Sequence, residues 1–178
     1  GAMPGDDIIM TKSAGIEGTA IIASEKADEL EAVLGTECLE RCRGFINQIS
    51  VVREGVAAGV FGVGAMHDIT EGGLLGALWE IAEASGVGLL IKRESIPVED
   101  ETAMICSHYG INPLKLISSG SMLIACRNGQ GLLDKLDRAG VKASMIGKAT
   151  GDGKKLLVDG SGAEEILQPE SDELHKVI

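Results

Sequence analysis

His67, Asp68, Thr70, Gly72 and Gly73 stand together in the stretch Met66-His67-Asp68-Ile69-Thr70-Glu71-Gly72-Gly73. The stretch follows a Gly/Val segment, residues 60–65, and opens the best amphipathic helix of the chain, which places it at a strand-to-helix turn. The first-turn amides of a helix lack intrahelical partners and lie at the positive end of its dipole, so they attract anions. Gly72 and Gly73 carry no side chain and let a phosphate come close to the backbone. Asp68 or Thr70 fits equally well as a plain N-cap, accepting a hydrogen bond from an amide of that turn. The two readings are compatible, because a helix capped by one side chain has other amides to offer.

Such a turn has to be positioned by a strand and a helix. The spacing predicts a helix over 71–85, with Leu74, Leu78, Ile81 and Ala82 on one face and Gly86 ending it. Residues 8–10 and the nearly all-apolar 87–91 read as strands. Residues 19–23 are ambiguous between helix and strand. Helices are predicted over 25–34 and, with Thr36 as cap, from 36 to 49; a third covers 50–60 with Val52, Val56 and Ala57 facing inward. Residues 99–109 form another helix, offering Ala103, Met104 and Cys106 for burial. Ser118-Ser119-Gly120-Ser121 is a small polar loop before a strand over 122–126. Ser119 and Gly120 are the second candidate contact for phosphate or for another domain, and the bland alternative is a plain turn. A helix over 130–139 and a strand over 141–146 follow. Gly151-Asp152-Gly153 is a hairpin-type turn to a returning strand over 155–158. The acidic tail from residue 164 is broken by Pro169, and His175 is solvated. Alternating helices and strands make this an α/β or α+β layered domain.

The 178 residues suffice for one domain with a substantial core, or two small ones. Aromatics are 2% of the chain, so Ile, Leu, Val, Met and Ala must build that core. The net charge of −11 argues against nucleic acid and against an anionic membrane surface. It leaves a phosphate ligand open, because a local pocket can differ in sign from the whole surface. No run approaches the roughly 18 apolar residues of a membrane span, no signal sequence opens the chain, and we read the protein as cytoplasmic. Cys38 and Cys42, four apart, share a helix face. They read as small core residues rather than a metal or redox pair, since no further ligands stand at zinc-site spacing. No metal site is assigned within the chain. Gly1-Ala2-Met3 reads as an expression remnant, and the domain as residues 4–178.

The stretch 67–73 resembles the His-Asp-x-Thr-x-Gly-Gly motif of the aminoimidazole ribonucleotide (AIR) synthase superfamily. Its context is similar as well. Gly5-Asp6, Gly15-Ile16-Glu17-Gly18, the run 80–88, Ile96-Pro97-Val98, Asn112-Pro113-Leu114 and the run 119–123 all resemble family segments in order, over about residues 4–158. Within the superfamily the likeness is closest to hydrogenase maturation proteins of the HypE kind and to AIR synthase-related proteins. The resemblance implies a three-layer α/β/α C-terminal domain of a two-domain, ATP-dependent enzyme. The N-terminal domain, missing here, would form a homodimer and supply most of the ATP and Mg2+ site, and this domain would close over it. His67 and Asp68 would then act in catalysis, with Asp68 orienting His67 or a magnesium-bound water. Thr70, Gly72 and Gly73 would face phosphate.

Two departures stand out. Glu71 occupies a position that is Gly in AIR synthase itself, and its charge opposes direct phosphate contact. The HypE reaction ends on a C-terminal cysteine, whereas the last five residues here are Leu174-His175-Lys176-Val177-Ile178. The leading expectation is therefore a HypE-like C-terminal domain, inactive alone, whose intact protein transfers a phosphoryl group from ATP to an oxygen of its substrate. The rival is a non-catalytic binding or assembly module that keeps the fold. Nucleotide binding by the intact protein separates the two.

Overall fold

Strand β1 (Asp7–Thr11) sets the layering of the molecule, which is described over all 178 residues by a computed structural model. Side chains alternate across a strand, so Ile8 and Met10 point to one face and Ile9 to the other. All three are fully buried, which marks a central strand covered on both sides. Strand β4 (Met122–Cys126) pairs antiparallel with β1 and divides the same way, Leu123 and Ala125 to one core, Ile124 and Cys126 to the other.

The complete sheet has seven strands in the order β2-β4-β1-β5-β3-β6-β7, where β2 is Ala65–Asp68, β3 Gly88–Lys92, β5 Ala143–Thr150, β6 Lys155–Asp159 and β7 Gly162–Glu165. Helix α5 (Gly73–Ser85) covers the first face, burying Leu74, Leu78, Ile81 and Ala82 as the spacing predicts. Helices α4 (Val52–Phe61) and α7 (Gly129–Arg138) cover the second through Ala57, Ala58, Leu132 and Leu136. These are the three layers of a mixed α/β domain. Helices α1 (Ile16–Glu25), α2 (Ala27–Leu34), α3 (Thr36–Gly44) and α6 (Asp100–Tyr109) bury a separate cluster that holds Leu30, Leu39, Cys38, Cys42 and Cys106. Burial pushes the Cys42 and Cys106 thiols up to about 12, so the cysteines are packing groups rather than nucleophiles. No helix is long and apolar enough to cross a membrane.

The structure corrects several local expectations. Strands β5 and β6 do not form a hairpin, because β3 lies between them, antiparallel to β5 and parallel to β6. The buried Leu89 and Ile91 of β3 compete for that central place and take it. Residues 19–23 are helical. Thr36 is the first residue of α3 rather than its cap, and its hydroxyl donates to Glu31. In α4 the inward residues are Glu54, Ala57 and Ala58, whereas Val52 and Val56 are 71% and 62% exposed. The reason is a buried ion pair from Glu54 to Lys12, which turns the helix. In α6, Ala103 and Met104 face out, and Thr102, Ile105 and Cys106 face in. The Thr102 hydroxyl is buried but paired, 2.9 Å from the Thr19 hydroxyl. Ala2 is also buried, its N–H donating to Ser85 Oγ, so the first residues pack onto the domain.

Candidate functional site

Strand β2 is the sheet edge, paired only with β4, and its register sets Asp68 opposite Met122. The chains run antiparallel, so the end of β2 and the start of β4 lie at the same end of the sheet. The end of β1 arrives there too. Residues 12–15, 69–73 and 118–121 are thereby gathered into one rim. Ile69 is fully buried and its N–H donates to Ser121 O at 2.9 Å. The hydroxyls of Ser118 and Ser121 donate to Ser13 O. The two stretches singled out in the sequence are thus neighbours.

Within the turn, Gly73 N–H donates to Thr70 O at 3.0 Å, and Gly72 and Gly73 have φ of 81° and 62°, the left-handed region that suits glycine. A Cβ on Gly73 would come within 2.8 Å of Leu114 O, Leu116 O and Leu116 N. Close packing on the 114–116 segment is therefore the first reason for that glycine. Neither Asp68 nor Thr70 caps α5, which has no side-chain cap bond at its Gly72 N-cap. Gly72 N–H instead donates to Asp172 Oδ2 at 2.7 Å. Asp172 is 2% exposed and its Oδ1 also accepts from Ile117 N–H and Leu174 N–H. The tail delivers this carboxylate, and Pro169 packs over Gly72 and Gly76. A residue a hundred positions away has taken the capping role, and no local pattern announces it.

His67 is half-buried and held from two sides. Its Nδ1 donates to Asp68 O, 2.5 Å away, and its Nε2 lies 3.1 Å from Glu80 Oε2 on α5. The Asp68 carboxylate is 3.9 Å from Nδ1 and 60% exposed. It therefore orients His67 through its carbonyl, and its carboxylate remains available to a ligand. Glu80, unremarked in the sequence beyond its place on the polar face, is the partner that reasoning by motif misses. Beside the turn a cleft of about 360 Å³ runs between α5 and the tail. Thr70, Glu71, Gly72, Trp79, Glu80 and Asp172 line it with tail residues 168–171, and none of the lining residues is basic. A bare phosphate would meet carboxylates there; a phosphate group carrying a bound cation would be matched by them.

In the second loop, Ser119 N–H donates to Glu17 Oε2 at 3.0 Å, and Gly120 O accepts from Lys12 Nζ at 2.7 Å. Gly120 has φ of 104°, and a Cβ there would lie 2.5 Å from Gln48 O. Ser119 and Gly120 are thus bound into the rim by their own backbone groups.

A mixed seven-stranded sheet clad by helices on both faces, with a glycine-paired turn at its edge strand, defines a domain class before any relative is considered. The family described as AIR synthase related protein, C-terminal domain, matches residues 3–159, and the chain belongs to that family. A Methanocaldococcus jannaschii protein named for hydrogenase expression/formation is 31% identical over 161 residues, 87% of this chain and 45% of that protein. Carbamoyl dehydratase HypE of Rhizobium leguminosarum bv. viciae is 29% identical over 155 residues, 85% of this chain and 42% of that protein. The crystal structure of hydrogenase maturation protein HypE in complex with ATP superimposes with a TM-score of 0.72 at 21% identity, over 99% of this chain and 54% of that one. The chain spans less than half the length of these curated relatives.

Proposed function

We propose that this chain is the C-terminal domain of a two-domain, HypE-like, ATP-dependent protein of hydrogenase maturation. In that protein the domain closes over an ATP site whose other wall belongs to an N-terminal, dimer-forming domain. The observation that carries the reading is the edge-strand turn itself. His67 is pinned between the Asp68 carbonyl and Glu80, and the Asp68 carboxylate beside it makes no hydrogen bond within the chain. The acid-lined cleft fits a magnesium-bearing phosphate group, and the cationic charge that such a group needs comes from outside this chain. ATP supplies the transferable phosphoryl group. Asp68, whose carboxylate is free, would accept a hydrogen bond from a magnesium-bound water, and His67, its two ring nitrogens held by the Asp68 carbonyl and Glu80, would fix the backbone that presents that carboxylate. Thr70, exposed at the mouth of the turn, donates its hydroxyl, and Gly72 and Gly73, their amides held by Asp172 and the Thr70 carbonyl, give the turn the tight backbone that presents it. Ser119 and Gly120 hold the neighbouring loop. Positioning and charge stabilisation are what phosphoryl transfer asks of a protein.

The test is ATP turnover by the protein with both halves present. Asp68→Ala and His67→Ala each lower it about 100-fold or more, with folding unchanged because both side chains are largely outside the core. Wild-type turnover in both variants removes the turn from the mechanism. A second reading, a binding or assembly module without chemistry, is favoured by one observation, the Asp172 carboxylate on the Gly72 amide. Folded two-domain protein that binds no nucleotide would establish it.

A further inference from the structure

At the end of β1, Lys12 adopts φ of 52°, the only left-handed non-glycine residue in the chain. Such a conformation is strained for a residue with a Cβ and persists only when its surroundings enforce it. Here the surroundings are oxygens. Lys12 Nζ lies 2.8 Å from Gln48 O, 2.8 Å from Ser50 O, 2.7 Å from Gly120 O and 2.7 Å from Glu54 Oε1. An ammonium has three protons, so these acceptors outnumber its donors. A further oxygen, Glu54 Oε2, is buried without a partner, and the Glu54 side chain is 1% exposed. No hydrogen-bond donor other than Lys12 reaches this cluster. Three backbone carbonyls and a carboxylate, all oxygen, are the ligand set of a hard cation rather than of a lysine alone. The cluster borders a cavity of about 310 Å³ that also reaches Asn47 and Arg53, giving it a path to solvent.

We infer that this is a monovalent-cation site which the chain fills with its own Lys12 ammonium. The tethered cation joins three segments: the connector at 48–50, α4 through Glu54, and the 118–121 loop through Gly120. Lys12 is in this sense a positioning residue for the loop that adjoins the 69–73 turn. The inference rests on the cluster alone and stands whether or not the turn binds phosphate.

Lys12→Gly empties the site and relieves the strained φ. Thermal unfolding of this chain is compared in choline, potassium and ethylammonium chloride at equal ionic strength. Choline is too large for the cluster and has no N–H to donate. The wild type melts at the same temperature in all three salts. The variant loses roughly 10 °C in choline, as expected for a buried carboxylate deprived of its partner, and regains at least half of that in potassium or ethylammonium. Adding Glu54→Gln abolishes the recovery. Lys12→Met, whose side chain fills the space without charge, is destabilised and is not rescued by any of the salts. A Lys12→Gly protein that folds only in potassium or ethylammonium supports the inference equally. The inference is overturned by a Lys12→Gly protein with one melting temperature in all three salts or unfolded in all of them, and by a Lys12→Met protein as stable as the wild type.

Discussion

Asp172 is the residue on which the candidate site most depends for its shape. It accepts N–H groups from Gly72, Ile117 and Leu174, joining the α5 turn, the 114–117 segment and the tail. Asp172→Ala leaves three donors without their acceptor and is predicted to cost roughly 2–4 kcal/mol in urea unfolding, since hydrogen bonds to a charged group are worth more than neutral ones. Asp172→Asn, which keeps one carbonyl oxygen, costs about half as much by the same rule. An effect below about 0.5 kcal/mol for Asp172→Ala, the range of ordinary surface substitutions, would show that the tail does not secure the turn. The turn that holds His67, Asp68 and the glycine pair was legible as a strand-to-helix connection because its residues are contiguous and chemically unlike their neighbours. Asp172, Glu80, Glu17 and Lys12 were not, because their meaning comes from partners far along the chain. An aspartate in an acidic tail looks solvated until the fold brings Gly72 to it. Thr70 illustrates the converse: its type and position fit a cap, yet the carboxylate of Asp172 outcompetes its hydroxyl for the Gly72 amide.

Among the elements, α5 and its flanking turns were the most legible, because a wide apolar face with glycine at both ends leaves few alternatives. The two glycines nevertheless do different things. Gly86 has φ of 67° and open space where a Cβ would sit, with no atom within 4 Å, so Gly86→Ala meets only the left-handed backbone penalty of about 1 kcal/mol. Gly73→Ala adds a clash with backbone atoms of Leu114 and Leu116, which cannot yield as a flexible side chain would. The predicted difference in unfolding free energy between the two variants exceeds roughly 2 kcal/mol; equal losses would mean that the 114–116 segment is free to move away. Helix α4 was predicted as an element but rotated wrongly. Hydrophobicity assigns Val52 and Val56 to the core, whereas the Lys12–Glu54 pair and the small Ala57 and Ala58 decide which face meets the sheet. The supposed hairpin of β5 and β6 failed for a related reason. Short loops favour pairing of neighbours, but the place between β5 and β6 goes to the more apolar β3, and a sequence read locally does not see that competition.

At the scale of the whole molecule, stability is set against both ends of the pH range. Burial alone would raise the Asp7 carboxyl, but hydrogen bonds from Lys148 and the Gly129 amide override it and hold it below the usual carboxylate range. Glu101 is lowered chiefly by its hydrogen bond from Arg41. Carboxylates depressed in the folded state contribute stability above their unfolded pKa of about 4, lost as pH falls through the folded value. Cys42 and Cys106, raised to about 12, work in the opposite direction. The folded chain holds those protons more tightly, so stability declines as pH rises above the unfolded thiol value of about 8.5. Melting temperature is therefore predicted to be flat between about pH 5 and 8 and to fall on either side, and a profile still rising at pH 10 would contradict the buried-thiol assignment. Fold class and family were legible across the chain because the ordered segments from Gly5-Asp6 to the 119–123 run agree in sequence and spacing. The central claim is that the 67–73 turn of this domain faces the phosphates of ATP. Its most direct test is amide NMR of the two-domain protein during titration with magnesium ATP. The account predicts that the Gly72 and Gly73 amide signals and the His67 ring signals shift together with nucleotide binding. Saturation with nucleotide while those signals stay unmoved would contradict it.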